Sequence, residues 1–123
     1  MLRPESDDQL RMPSSEAPLF QASLLTDGCA HDDAAVQELL ELFVVEAAAT
    51  VAQLASAVAA RDVEAVRRLA HGLAGSAATI GALQLAAASE RLDESARAGR
   101  LVRAKELQVE LQRSFESTRA ALA

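Results

Sequence analysis

One histidine of this chain lies in a segment whose neighbouring positions carry almost no side-chain bulk. The segment is residues 70–82, AHGLAGSAATIGA, and its histidine is His71. On a helix, the surface neighbours after His71 are Ala74, Gly75 and Ala78. A glycine inside a helix costs roughly 0.5–1 kcal/mol relative to alanine, so Gly75 has little structural reason to be there. The pattern predicts a reactive imidazole that another molecule approaches.

The other histidine and the single cysteine give weaker indications. His31 lies beside Asp32 and Asp33 in a predicted loop, and these three residues without further ligands do not make a metal site. Cys29 has no second cysteine to pair with, so an intrachain disulfide is excluded and nothing indicates an oxidising compartment. We interpret His31 as a loop residue and expect no metal site.

The composition indicates a small, helical and acidic domain. At 123 residues the chain has room for one hydrophobic core. Half of its residues are apolar, yet only 2% are aromatic, which favours helices packed closely through small side chains. The formal net charge of −6 argues against a nucleic-acid partner, because phosphate contacts need a concentrated basic surface.

Four amphipathic segments make up most of the chain, each with apolar residues every three or four positions. The first covers about residues 33–60, and Asp62 is suited to cap the second, which ends or bends at Gly81. The third ends near Gly99, and the fourth covers residues 101–122. Short connections between such helices predict an all-α fold, an antiparallel up-and-down four-helix bundle.

The apolar stripe of the second segment lies away from His71, so we expect this imidazole to face solvent. Ahead of the bundle, an apolar cluster at residues 19–25 stops at Gly28, which predicts a short extra N-terminal helix across one end of the bundle. All three prolines lie within residues 1–18, which predicts a flexible linker there and a folded domain over 19–123.

The beginning of the sequence gives no sign of export. Its first residues lack the apolar run of a signal peptide, and no stretch approaches the roughly 20 apolar residues needed to cross a bilayer. We therefore expect a cytoplasmic domain that makes no membrane contact.

The segment around His71 resembles the histidine-containing phosphotransfer (HPt) domains of bacterial and plant phosphorelays. The family pattern is roughly Ala-His-x-Leu-Lys-Gly-Ser-small-x-x-Gly-Ala, and the matching residues here are Ala70, His71, Leu73, Gly75, Ser76, Gly81 and Ala82. The resemblance covers about residues 19–122. It implies that His71 accepts a phosphoryl group from the phospho-aspartate of a receiver domain and passes it to another response regulator. A neutral imidazole suits this role, because a ring nitrogen is free to attack phosphorus.

One position departs from the family pattern. The lysine that usually follows the histidine by three residues is Ala74 here, so a cation that helps to neutralise the phosphoryl group is missing. Arg67 and Arg68 lie one turn before His71, and guanidinium groups pair well with phosphate oxygens. We expect these arginines to substitute for the lysine. Solvated surface charge is the alternative interpretation, and it suits Arg68 better than Arg67.

Two further residues are candidates for supporting roles. Asp93 lies where the family often has a Glu or Gln close to the histidine, and its carboxylate is suited to orient the ring by accepting a hydrogen bond. An ordinary exposed carboxylate is the alternative. Ser76 is a candidate phosphate contact, with a bond to the helix backbone as the alternative. The surface that a partner contacts is predicted to consist of Ala74, Gly75 and Ala78.

The resemblance also implies the partners. These are response-regulator receiver domains, which would supply the Mg²⁺ for transfer, so we expect no cofactor of this chain's own. The proline-bearing tail favours a place in a hybrid sensor kinase, a parent protein that would be membrane-anchored, and a free-standing protein is the alternative. One chain already supplies enough helices to close a bundle, so we expect a monomer.

Two other functions compete with phosphotransfer. The missing lysine fits an HPt-like docking module that binds receiver domains without carrying phosphate, although His71 and Gly75 are retained. A sensor-kinase dimerisation bundle also has a histidine on a helix, but an acidic residue normally follows it, where this chain has Gly72. Because the sequence has no nucleotide-binding motif, we expect a phosphocarrier without autokinase activity.

Overall fold

A computed structural model describes residues 33–122, and these residues form four α-helices. The helices are α1 (Asp33–Ala59), α2 (Val63–Ile80), α3 (Leu83–Arg97) and α4 (Leu101–Leu122). Their boundaries agree closely with those predicted from apolar spacing and capping residues. The all-α prediction is confirmed, and the described range contains no strand.

The helices close into a ring in which each one packs against two others. α1 and α3 each pack against both α2 and α4, whereas the diagonal pairs α1–α3 and α2–α4 have no close backbone approach. Very short connections join successive helices, so their directions alternate as in an antiparallel up-and-down bundle. The histidine-bearing α2 is therefore held between α1 and α3.

The core consists of aliphatic and small side chains from all four helices. Its most enclosed larger members include one from each helix, Leu54, Val66, Leu92 and Leu111. On α2, Ala70 and Ala77 are also completely buried. Because alanine adds so little bulk, neighbouring helices approach the inner face of α2 closely.

Both ends of α2 are capped by residues that the sequence identified. The Asp62 carboxylate accepts a hydrogen bond from the backbone N–H of Ala65 at 3.2 Å. At the other end Gly81 takes a left-handed φ of 85°, and its backbone N–H donates to carbonyl groups of the last turn. These bonds satisfy backbone groups that a helix end leaves free. The caps fix the extent of α2 and so the position of His71 along it.

The turn after α1 contains a backbone conformation that glycine would adopt more easily. Within residues 33–122, Arg61 is the only residue other than glycine with a positive φ, at 58°. This region costs an L-residue roughly 1–2 kcal/mol, and the greater freedom of glycine in the unfolded chain offsets part of the gain on substitution. We expect Arg61→Gly to raise the free energy of unfolding by about 0.5–1 kcal/mol in urea denaturation, with Arg61→Lys unchanged. A lower stability of the glycine variant would contradict this explanation.

By length and composition alone, α1 is long and apolar enough to cross a membrane. The expectation that no stretch approaches such a span is therefore wrong by that criterion. One such helix is weak evidence, because core helices of soluble proteins pass the same test. About a quarter of the apolar part of α1 is buried in the bundle (28%), and its buried side chains are Phe43, Ala47, Val51, Leu54 and Ala57.

Several predictions concern residues outside the described range. The predicted linker at 1–18, the predicted helix at 19–25, Cys29 and the predicted loop residue His31 all lie there. They stay predictions, as does the domain boundary at residue 19.

Candidate functional site

The imidazole of His71 is the most prominent chemical group on the outer face of α2. Its side chain is 83% exposed, while Ala70 and Leu73 on the inner face are buried. The prediction that His71 faces solvent is confirmed. A group so placed is open to a partner without any movement of the bundle.

Asp93 on α3 lies beside His71 because α2 and α3 pack against each other. The residue is only 7% exposed, so it is a buried carboxylate and not an ordinary exposed one. Its Oδ2 lies 3.9 Å from Nδ1 of His71. This distance is too long for the predicted hydrogen bond but close enough for an electrostatic interaction with a positively charged ring. The carboxylate therefore faces one edge of the imidazole and leaves the other edge to solvent.

Two arginines flank the Asp93 carboxylate. Arg97 donates to Oδ2 at 2.9 Å, and Nε of Arg67 lies 4.0 Å from Oδ1. Arg67 also reaches Glu64, one turn before it, at 3.4 Å. Sequence reasoning missed Arg97, although an acid followed by a base four residues later on a helix is a recognisable pairing signal. The carboxylate beside His71 thus has two cations close to it.

Two buried polar atoms at this site lack hydrogen-bond partners among the described residues. They are Nε of Arg67 and Oδ1 of Asp93, the same two atoms that lie 4.0 Å apart. Buried polar groups are nearly always paired, and an unpaired one costs roughly 1–3 kcal/mol. The Arg67–Asp93 pair is therefore close to, but short of, a complete ion pair.

Arg68 lies at the boundary between two depressions in the surface. It lines the recess around His71 together with Glu64, Arg67, Asp93 and Arg97. It also lines a groove between α1 and α2, which sequence reasoning missed, with Phe43, Glu46, Thr50, Gly72 and Ser76 among the other lining residues. No ion pair joins Arg68 to another residue of the described range. Its guanidinium is thus available on the side of His71 that faces α1.

The small residues after His71 divide between the surface and the interior. Gly75 and Ala78 are exposed, and a Cβ atom added at Gly75 would meet nothing within 4 Å. Ala74 is only 7% exposed, so it lies beneath the predicted docking surface and offers a partner little contact area. Ser76 is exposed, and its hydroxyl donates to the Gly72 carbonyl at 3.1 Å, which is the backbone alternative for this residue.

These features define a class of protein, a helical bundle that presents one histidine, flanked by arginines and backed by a carboxylate, to an approaching molecule. Comparisons with known proteins agree with it. The Hpt domain family model matches residues 38–121. The crystal structure of histidine-containing phosphotransfer protein B from Pseudomonas aeruginosa is similar, with 31% sequence identity and a TM-score of 0.80, over 87% of this chain and 93% of that one. The comparison with curated proteins gave no match.

This chain belongs to the Hpt domain family, as its resemblance to HPt domains predicted. Its role is histidine phosphotransfer in phosphorelay signalling. Hpt domains interact with receiver domains in phosphorelays, and they generally carry phosphoryl groups rather than act as enzymes.

Proposed function

We propose that His71 is the phosphoacceptor of this domain and exchanges phosphoryl groups with the phospho-aspartate of receiver domains. The observation that carries this proposal is the exposure of its imidazole, the only one within residues 33–122, beside the open surface at Gly75. Ala70, Gly75 and Ser76 around it match the family motif, whereas Ala74 replaces its lysine. An exposed nucleophile with little bulk beside it is what transfer between two folded domains requires.

The position of Asp93 indicates which ring nitrogen reacts. With a proton on Nδ1, toward the carboxylate, Nε2 carries the free lone pair. That lone pair forms the N–P bond while the P–O bond of the aspartyl phosphate breaks, and the electron pair of the broken bond leaves with the receiver carboxylate. Positive charge that develops on the ring lies 3.9 Å from Oδ2 of Asp93, which stabilises it. The reverse sequence returns the phosphoryl group to a second receiver.

Charge compensation during transfer is divided between the two partners. A loose phosphoryl-transfer transition state needs positioning and nearby cations more than covalent help from the protein. On this chain the cations are the arginines around the recess. We propose that the Mg²⁺ belongs to the receiver, so that this domain needs no cofactor and has no autokinase activity of its own.

The proposal is tested by mixing the chain with a receiver domain that carries phosphate on its aspartate, in the presence of Mg²⁺. Loss of phosphate from the receiver, with acid-labile and base-stable phosphate gained by this chain, is the expected result. Binding of the receiver without transfer would instead favour the docking module, for which the replacement of the usual lysine by Ala74 is the specific observation.

We propose that the domain acts as a monomer in the cytoplasm. Its own four helices close the bundle, so no second chain is needed to complete the core. A receiver must share its compartment, because transfer requires direct contact between the two domains. Sedimentation equilibrium of the full chain checks the oligomeric state.

Arg67→Ala is expected to slow transfer from the receiver roughly two- to tenfold, because it removes one cation from the recess, an effect of about 0.5–1.5 kcal/mol on the barrier. The reason is that Arg67 lies on the rim of the recess that contains His71. Arg103→Ala is the matched control, because it removes the same charge from α4, which is not a neighbour of α2 in the ring. Unchanged rates in both Arg67→Ala and Arg68→Ala would rule out these two arginines as substitutes for the lysine.

A further inference from the structure

The Asp93 carboxylate is shared between a cation and the candidate phosphoacceptor. Its Oδ2 accepts from Arg97 at 2.9 Å and lies 3.9 Å from Nδ1 of His71. We propose that Asp93 pairs with Arg97 while the imidazole of His71 is unphosphorylated, and that Arg97 moves from this carboxylate to the phosphoryl group once His71 carries it. This inference rests on the proposed function, because it concerns the phosphorylated state of His71.

The exposure of the two flanking arginines identifies Arg97 as the one that moves. Its side chain is 58% exposed, whereas that of Arg67 is 35% exposed and has a buried Nε. Arg97 is the last residue of α3, and its only ion pair within the described range is the one with Asp93. Arg67 is held on two sides, by Glu64 and by Asp93. A long side chain at a helix end with a single partner is the easier one to redirect.

A phosphoryl group on His71 would compete well for this guanidinium. It carries more negative charge than a carboxylate and offers three acceptor oxygens, and the planar fork of arginine fits two of them at once. Arg97 and Nδ1 of His71 lie 2.9 Å and 3.9 Å from the same oxygen of Asp93, so the guanidinium starts beside the Nδ1 edge of the ring. To reach a phosphoryl group on Nε2, its long side chain has to extend past that edge.

The unpaired atoms of the Arg67–Asp93 pair make the exchange favourable for the bundle as well. If Arg97 left with no replacement, Asp93 would be a buried carboxylate without a cation, which is strongly destabilising. Nε of Arg67 lies 4.0 Å from Oδ1, and neither atom has a hydrogen-bond partner among the described residues. A small approach of Arg67 would complete this ion pair as Arg97 departs. The two arginines thus have different roles: Arg67 retains the carboxylate, and Arg97 follows the phosphate.

One turn after His71, at position 74, its helix supplies no cation, although Arg67 and Arg68 lie one turn before it. Ala74 lies where the family usually has lysine, and it is almost fully buried. The cation then comes from the next helix of the ring instead of from the same helix. Arg97 is a catalytic residue in this proposal, because it touches the transferred group, whereas Asp93 is a positioning residue.

The experiment uses the ¹⁵N-labelled full chain and phosphoramidate, a small phosphoryl donor that needs no docking surface. The Nε–Hε signal of Arg97, assigned with Arg97→Lys, is recorded before and after phosphorylation, and intact mass gives the phosphorylation rate. We expect this signal to shift on phosphorylation, while the signal of Arg103 stays in place. We also expect Arg97→Ala to be phosphorylated roughly three- to tenfold more slowly than Arg103→Ala. The phosphorylation rate of Arg97→Lys should lie between those of these two variants, because lysine keeps the charge but not the planar fork.

The possible failures are distinguishable. A phosphorylated chain whose Arg97 signal does not move, or an Arg97→Ala variant as fast as Arg103→Ala, would overturn the exchange and leave the phosphoacceptor role of His71 intact. A wild-type chain that gains no phosphate would instead overturn the proposed function.

Discussion

His71→Gln is expected to abolish phosphorylation of this chain completely. Glutamine keeps a polar side chain of similar reach at an exposed helical position, but its amide nitrogen lacks the free lone pair that attacks phosphorus. After incubation with phosphoramidate, intact-mass analysis should find one added phosphoryl group on the wild type and none on the variant. The added group should be lost in acid and kept in base, as expected for phosphohistidine.

His31→Gln is the matched control, because it replaces the other histidine of the chain. It should be phosphorylated as fast as the wild type. Phosphate on His71→Gln would place the acceptor elsewhere in the chain. If neither protein gained phosphate, binding to receiver domains would be the next measurement, since the docking module would then explain the family membership.

Gly75→Gln is expected to lower transfer from a receiver by roughly tenfold or more, with the fold intact. The long side chain would stand on the surface that the receiver must approach, one turn after His71. The fold should tolerate it, because a Cβ at Gly75 has open space around it and glutamine favours a helix more than glycine does. Transfer rates are measured with a phosphorylated receiver, and the melting temperature should stay the same or rise.

Two controls separate docking from chemistry at Gly75. Gly75→Ala adds one methyl group, so it should gain helix stability and keep most of the transfer rate. Gly75→Gln itself should still react with phosphoramidate at nearly the wild-type rate, because a small donor needs little room. A variant that accepts phosphate from the receiver at full speed would show that the space beside His71 does not serve docking.

Much of the fold could be predicted because its signals are local. Asp62 caps the start of α2 and Gly81 caps its end, each through hydrogen bonds to residues only three or four positions away. The spacing of the apolar residues alone predicts the buried face of α2, which does not include His71. Four such helices with very short connections leave few arrangements other than the up-and-down ring. The exposure of His71 followed directly from the phase of one helix.

The parts of the site that join two helices could be predicted only in part. The family motif predicts a role for Asp93 near the histidine. Its burial and the 3.9 Å distance from its Oδ2 to Nδ1 of His71 depend on how α3 is rotated against α2. The same rotation buries Ala74, which was expected at the surface. Arg97 was missed because its importance comes from Asp93, whose burial one sequence cannot reveal. Helix phases between neighbours are a property of packing, and they are fixed by the core as a whole.

Because the backbone of α2 lies beside α1 and α3 and not beside α4, one side of the bundle is remote from the site of transfer. The outward side of α4, where Val102 and Val109 are exposed, does not border the helix that carries His71. A dye or an affinity tag attached there would report on this domain in a working phosphorelay without standing between it and its partner. The same separation leaves the outward side of α4 free to vary in sequence, or to join other domains, while the transfer surface stays unchanged.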